Sequence, residues 1–275
     1  MKIAFKIEPS SDKNVDLHLL VEVGDEDISF LIYSTSPFKI EGLYSLSLDK
    51  NSFPTDYVKE LTNFVEQNRS LDSSAFSSTN IFYNFSTSTL VPLEYFREEE
   101  KEEILAQLFV ADKMRSCYEE SCRDSEIKHI FSVPTIVHEK LIALYTSAKF
   151  AHSTSYQVNK NNDSVLHCII YNASIKIILF KEDQLQIVQY FNYTTPTDVC
   201  YHLLNVAERF EVAPSSIQLS LSGMIDVDST LYKEVYKYFL HVNFPASAAV
   251  NVAQGFEGLP SHFYHHLTAL AHAHN

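Results

Sequence analysis

The sequence predicts an α/β protein in which one β-β-β-α-β-α unit is used twice, giving two lobes around a central cleft. Three observations carry this expectation. Leu17 to Asn68 runs as an apolar strand, a tight turn, a second strand, a third strand and a helix, and Val165 to Phe210 runs in the same order. Each helix opens on the same tripeptide, Pro54-Thr55-Asp56 in the first copy and Pro196-Thr197-Asp198 in the second. A chain of 275 residues is long for one core but comfortable for two of about 130 residues each. Self-similarity of this kind sets architecture before any single residue is considered.

In the first copy, His18 to Val23 forms a strand, Gly24-Asp25-Glu26-Asp27 the turn and Ile28 to Tyr33 the return. Ser36-Pro37 breaks the chain before an alternating third strand, Lys39 to Leu48. Thr55 reads as the N-cap of a helix that places Val58, Leu61, Phe64 and Val65 on one face. The serine-rich stretch Arg69 to Thr79 is a loop, Ile81 to Phe85 a fourth strand, and Arg97 to Met114 one helix with Ile104, Leu105, Leu108 and Ala111 inward.

The second copy has strands at Val165 to Tyr171, Ile175 to Phe180 and Gln184 to Tyr193, with Asn172-Ala173-Ser174 as the turn. A helix with Val199, Leu203, Val206 and Phe210 on one face follows, then a strand at Ile217 to Leu221 and a helix at Ser229 to Leu240. Laying Gly24 on Asn172 superposes Phe30 on Ile178; six residues removed before the helix then bring Thr55 to Thr197 and Leu61 to Leu203. The expected lobes are residues 1–134 and 135–275, with a last helix at 261–273 packing back on the first lobe.

Composition narrows the function. Hydrophobic residues make up 45% and charged residues 20%, an ordinary folded balance, and 16 Tyr with 19 Phe supply bulk in the absence of Trp. A net charge of -14 argues against a nucleic-acid partner and against docking on an anionic membrane. No stretch approaches the ~18 apolar residues of a membrane span, and the first residues lack a signal-peptide core. Cys117, Cys122, Cys168 and Cys200 show no CxxC spacing, which fits reduced thiols in a cytoplasmic protein.

The layout resembles the actin-like ATPase superfamily, of ribonuclease H-like topology, and looks most like its pilus-assembly ATPase branch. The likeness is carried by the hairpin at Cys168 to Phe180, by Phe210-Glu211-Val212-Ala213-Pro214, and by Ile217 to Gly223. The whole chain is similar to an uncharacterised bacterial family with that fold. The resemblance implies an Asp-x-Gly motif in each hairpin turn, facing nucleotide phosphates, and a glycine-rich adenosine turn.

Glu22-Val23-Gly24 matches the first motif, but Asp25-Glu26-Asp27 follow, and like charges repel a phosphate there. In the second turn Ile170 stands for the acid and Asn172 for the glycine, leaving Ser174 as a phosphate donor. The adenosine turn offers Ser222-Gly223, and the chain holds only five glycines, few for a backbone-amide cradle. The candidate nucleotide residues are therefore Glu22, Gly24, Asp25, Asn172, Ser174, Ser222 and Gly223, in a degenerate site.

Other motifs are weaker. Five of the twelve histidines, His262, His265, His266, His272 and His274, fall in the last fourteen residues, and His262 and His266 are spaced to share a metal on a helix. No acid accompanies them, so packing histidines are expected and no metal is assigned. The acidic run Glu94 to Glu103 suits the start of a helix. Cys117 and Cys122, placed on a helical segment, do not face each other. The expectation is a noncatalytic interaction or scaffold protein with a protein partner and no cofactor. The alternative is a working ATPase, with ATP and Mg²⁺, in which Glu22 positions the metal and Ser174 contacts phosphate. A metal-dependent nuclease lacks the clustered carboxylates it needs.

Overall fold

A computed structural model describes residues 2–9, 15–48, 54–123, 125–158, 164–245 and 251–274. They form two compact units, one of residues 2–157 with 251–258, the other of 158–245 with 259–274.

The first unit begins with β1 (Lys2–Ile7), β2 (His18–Gly24), β3 (Asp27–Thr35) and β4 (Phe38–Ser47), followed by α1 (Pro54–Gln67). The chain continues through β5 (Ser78–Asn84), β6 (Ser88–Pro92), α2 (Lys101–Leu108), β7 (Arg115–Ser121) and β8 (Ile127–Pro134). It closes with α3 (Thr135–Leu144), β9 (Lys149–His152) and α4 (Ser153–Gln157). The main sheet has the order β1-β4-β3-β2-β5-β9, and β6-β8-β7 form a separate sheet of three strands. β2 lies between β3, antiparallel, and β5, parallel, which explains why it is buried from Leu19 to Gly24. Leu19, Val21 and Val23 share a core with Leu61 and Phe64 of α1, Val137 and Leu141 of α3, and Phe131 and Val133 of β8.

The second unit has β10 (Val165–Ile170), β11 (Ser174–Lys181), β12 (Gln184–Asn192), α5 (Pro196–Arg209), β13 (Gln218–Gly223), α6 (Thr230–Val235) and β14 (His241–Asn243). The short β15 (Asn251–Val252) returns to pair with β4, and α7 (His265–His274) belongs to the second unit, where it contacts β13. The sheet order is β12-β11-β10-β13-β14. This repeats β4-β3-β2-β5-β9 strand for strand, with the third and fourth pairings parallel in both sheets. Leu203 and Val206 of α5 and Val235 of α6 pack on Cys168, Ile177 and Leu221.

Several local expectations are corrected. α1 begins at Pro54, so Thr55 is an exposed residue inside the helix and not its cap. In α5 the cap is Thr195: its Oγ1 accepts from Asp198 N, and the Asp198 carboxylate accepts from Thr194 N and Thr195 N at 2.9 and 2.8 Å. The helix expected over Arg97 to Met114 shrinks to α2, with only Leu105 buried and Leu108 60% exposed. Phe109 turns extended there, bonding its N–H back to Leu105 O, and the chain feeds β7. Cys117 lies on that strand, not on a helix, and Cys122 follows it. Ser229 caps α6 as its position suggests, but the helix stops at Val235. The last helix starts at His265, after a single turn at Ser261–Phe263. Among the described residues, no helix is long and apolar enough to cross a membrane.

Candidate functional site

The β2–β3 hairpin holds the first group of candidate residues. Glu22 is buried, opposite Ser29 on β3 and Phe82 on β5. Gly24 ends β2 beside Asn84, and a side chain there would meet Asn84 O at 3.2 Å, tight enough to favour glycine. Its carbonyl accepts from the buried Tyr57 hydroxyl at 3.2 Å. Burial raises the Tyr57 pKa well above the ordinary value, helped by the charges of Asp25 and Asp27, so the phenol stays a donor. Asp25 is exposed and its Oδ2 accepts from Ser86 N at 2.8 Å. The acid thus occupies a backbone donor just past β5, of the kind a phosphate would otherwise use.

The β10–β11 hairpin holds the second group. Four residues connect the last paired positions in each hairpin: Gly24 to Asp27 between Val23 and Ile28, and Tyr171 to Ser174 between Ile170 and Ile175. Equal loops set the equivalence one residue away from the sequence superposition. Tyr171 takes the place of Gly24, Asn172 that of Asp25, and Ile169, not Ile170, that of Glu22. A slip of one residue exchanges the faces of a strand, so this correction decides which side chain stands where.

Tyr171 is buried, with its ring edge-on to that of His266 on α7 at 5.6 Å. Its carbonyl accepts from the Tyr193 hydroxyl at 2.9 Å, and its N–H donates to Ser174 O at 2.9 Å. Asn172 is exposed and Ser174 half-buried. The parallel register Ile170↔Gly223 brings this turn to the same sheet end as Ser222 and Gly223. Ser222 is buried. Gly223 has φ +85°, and a side chain there would sit 2.2 Å from Ile170 O. Strand packing alone therefore accounts for that glycine. The second turn presents a phosphate with neither carboxylate nor glycine, and these residues do not fit an Mg-ATP phosphate cradle.

A buried polar cluster beside the first hairpin carries no sequence signal. Ser153 Oγ donates to Asn84 Oδ1 at 2.9 Å, and His152 Nε2 bonds Phe85 O at 3.2 Å. The His129 ring stands edge-on to His152 at 4.4 Å, its Nδ1 3.0 Å from Ser155 Oγ. The His152 N–H donates to Glu120 Oε1 at 2.8 Å. These residues come from four separate segments, so no local pattern announces them.

Of the C-terminal histidines, His262 and His266 are buried packing groups. His262 Nε2 lies 2.7 Å from Ile225 O and its ring stacks on Phe244 at 4.0 Å, while His266 meets Tyr171. The break before α7 removes the shared helix that would align them. Among the described residues, no three His, Cys, Asp or Glu side chains are grouped to hold a metal. Burial pushes the Cys122 thiol up to about 12 and Cys200 up to about 11, so neither is a ready nucleophile.

Comparison with known proteins places this geometry. A Bacteroides thetaiotaomicron protein with actin-like ATPase fold and unknown function superposes with a TM-score of 0.74 at 20% identity, covering 94% of this chain and 96% of that one. The type IV pilus biogenesis complex PilM-PilN contains a chain that superposes at 0.59 with 11% identity, over 93% of this chain and 96% of the other. At these identities the likeness establishes the actin-like ATPase fold. Comparison with curated proteins returns no match. Residues 8–242 match the family described as "Protein of unknown function (DUF3822)", and the chain belongs to that family.

Proposed function

We propose that this protein is a noncatalytic member of its fold class that works by binding a protein partner, as an interaction or scaffold component. The observation that carries the reading is the second hairpin turn, where Tyr171 takes the glycine position and is held by Tyr193 and His266. Phosphoryl transfer depends on positioned metal and phosphate donors, and this turn supplies no acid for either. The first turn agrees, since Asp25 is engaged by Ser86 N and Glu22 is 3% exposed. Glu22, Gly24, Asp25, Asn172, Ser174, Ser222 and Gly223 are then remnants of nucleotide-facing turns, kept for backbone geometry.

A protein partner is favoured by a neighbour whose title describes a complex, PilM-PilN, and by the negative charge that disfavours nucleic acid. Exposed aromatic and aliphatic side chains in the second unit, Tyr201, Tyr236, Tyr238 and Leu240, supply contact area. The place of action is the cytoplasm, consistent with the four free thiols. The direct test is phosphate release from Mg-ATP by the full chain. No turnover above a protein-free control is expected; turnover that Glu22→Gln abolishes overturns the reading.

A further inference from the structure

Arg115 opens β7, where the chain returns from α2 to pair with β8. Its Nε donates to Ser132 Oγ at 2.9 Å and its Nη2 to Ser132 O at 2.7 Å, while the guanidinium lies 5.3 Å from the centre of the Phe85 ring. A guanidinium carries five N–H donors, and Ser132 uses two of them. Among the described residues no carboxylate forms an ion pair with Arg115. Asp25 and Asp112 favour its charge only through the longer-range field, while burial opposes it. Arg115 is half-buried, and the donors that Ser132 leaves over are available to a ligand that completes the shell of the cation.

Arg115 also lines a half-open pocket of about 430 Å³ on the first unit, formed by α2, the residues that follow it and the three-stranded sheet. Thr87 and Ser132 add hydroxyls to its wall, and Leu105, Ala106 and Phe109 add apolar surface. That volume lies within the range of small-molecule sites, which combine apolar walls with a few convergent polar groups.

We propose that this pocket binds a small organic acid: a single carboxylate seated on Arg115, with a compact apolar body against Leu105, Ala106 and Phe109. The planar fork of arginine matches the two oxygens of a carboxylate. The charge balance selects one negative charge and no more. Lys113 and Arg115 line the pocket, but so do Glu102 and Asp112, and the chain as a whole carries -14. A phosphate dianion or a strongly acidic peptide meets repulsion that a monocarboxylate largely escapes. A seated acid also ties α2, anchored by Leu105, to β7 and β8, so occupancy stiffens that part of the first unit. This site stands apart from the partner-binding reading and survives or fails without it.

The test uses the full chain, titrated calorimetrically with 3-phenylpropionate and hexanoate, with the neutral 3-phenylpropionamide and phenyl phosphate as comparators. At least one acid is expected to bind about tenfold more tightly than the amide or the phosphate ester, the scale of one charge-assisted contact. Arg115→Met should erase the preference of acid over amide. Because that variant removes contacts to Ser132 and Phe85 and could unfold, Ala106→Phe is the second probe. Ala106 is exposed, so filling the pocket there should block the acid while leaving the melting temperature in place. Equal binding of acid and amide, binding of neither acid, tighter binding of the phosphate ester, or acid binding untouched by Ala106→Phe each overturns the proposal.

Discussion

The two hairpin turns sit at equivalent places in sheets of the same order, yet their side chains do different work. In the first unit the residue after the last β2–β3 pair is Gly24, and the acid beside it caps a neighbouring backbone N–H. In the second unit the same position is Tyr171, fixed by a tyrosine hydroxyl and a histidine ring. Where a parallel pair closes up at its end, each unit still keeps one glycine, Gly24 against Asn84 and Gly223 against Ile170. The comparison teaches that close backbone approach, which the fold needs, occurs in both units, whereas the side chains of the two turns differ. A glycine in this chain is evidence about strand packing before it is evidence about phosphate.

The sharpest way to break that account is to substitute both glycines. Gly223→Ala combines a left-handed φ with a 2.2 Å clash and should cost on the order of 3 kcal/mol or more, enough to lose the folded second unit. Gly24→Ala meets its neighbour at 3.2 Å, and a loss of about 1 kcal/mol in urea unfolding is expected. Similar losses at the two sites contradict the packing explanation.

Leu61 and Leu203 occupy the same turn of α1 and α5, and both are fully buried. Either one replaced by Ala should lose about 2–5 kcal/mol, read by the same denaturant curves. A large inequality would show that the two helices carry unequal shares of their cores.

Acid should separate the units. Burial lowers His167 and His265, both in the second unit, from 6.5 to about 4, His265 being depressed further by His266 and His167. A histidine depressed on folding is kept neutral in the native state, so its contribution is complete above pH 6.5 and is lost as pH falls toward 4. Amide exchange or near-ultraviolet dichroism should therefore show residues of the second unit opening first across that window. His167→Gln with His265→Gln should flatten the dependence.

The smallest expected difference lies at the helix starts. Thr195→Ala removes a reciprocal cap and should cost about 1 kcal/mol, whereas Thr55→Ala, at an exposed position within α1, should change stability by only a few tenths.

These same sites show how far the sequence could be read. Strand order and the α1–α5 equivalence were legible because apolar runs and helical spacing are local, and Leu61 and Leu203 do correspond. The hairpin equivalence was off by one, because register is set by cross-strand bonding that no short segment displays. The helix expected over Arg97 to Met114 is longer than α2 because Ile104, Leu105, Leu108 and Ala111 have the spacing of an inward face, yet Leu108 and Ala111 are exposed. Arg115 leaves no local mark in the sequence, because its partners Phe85 and Ser132 are distant along the chain.

The most direct measurement of the central claim is the melting temperature of the full chain with and without millimolar Mg-ATP. A ligand that binds only the native state at 100 times its Kd adds roughly 2.7 kcal/mol, a shift of several degrees. The account predicts no shift. A clear upward shift that Glu22→Ala abolishes would contradict it and return the two turns to nucleotide binding.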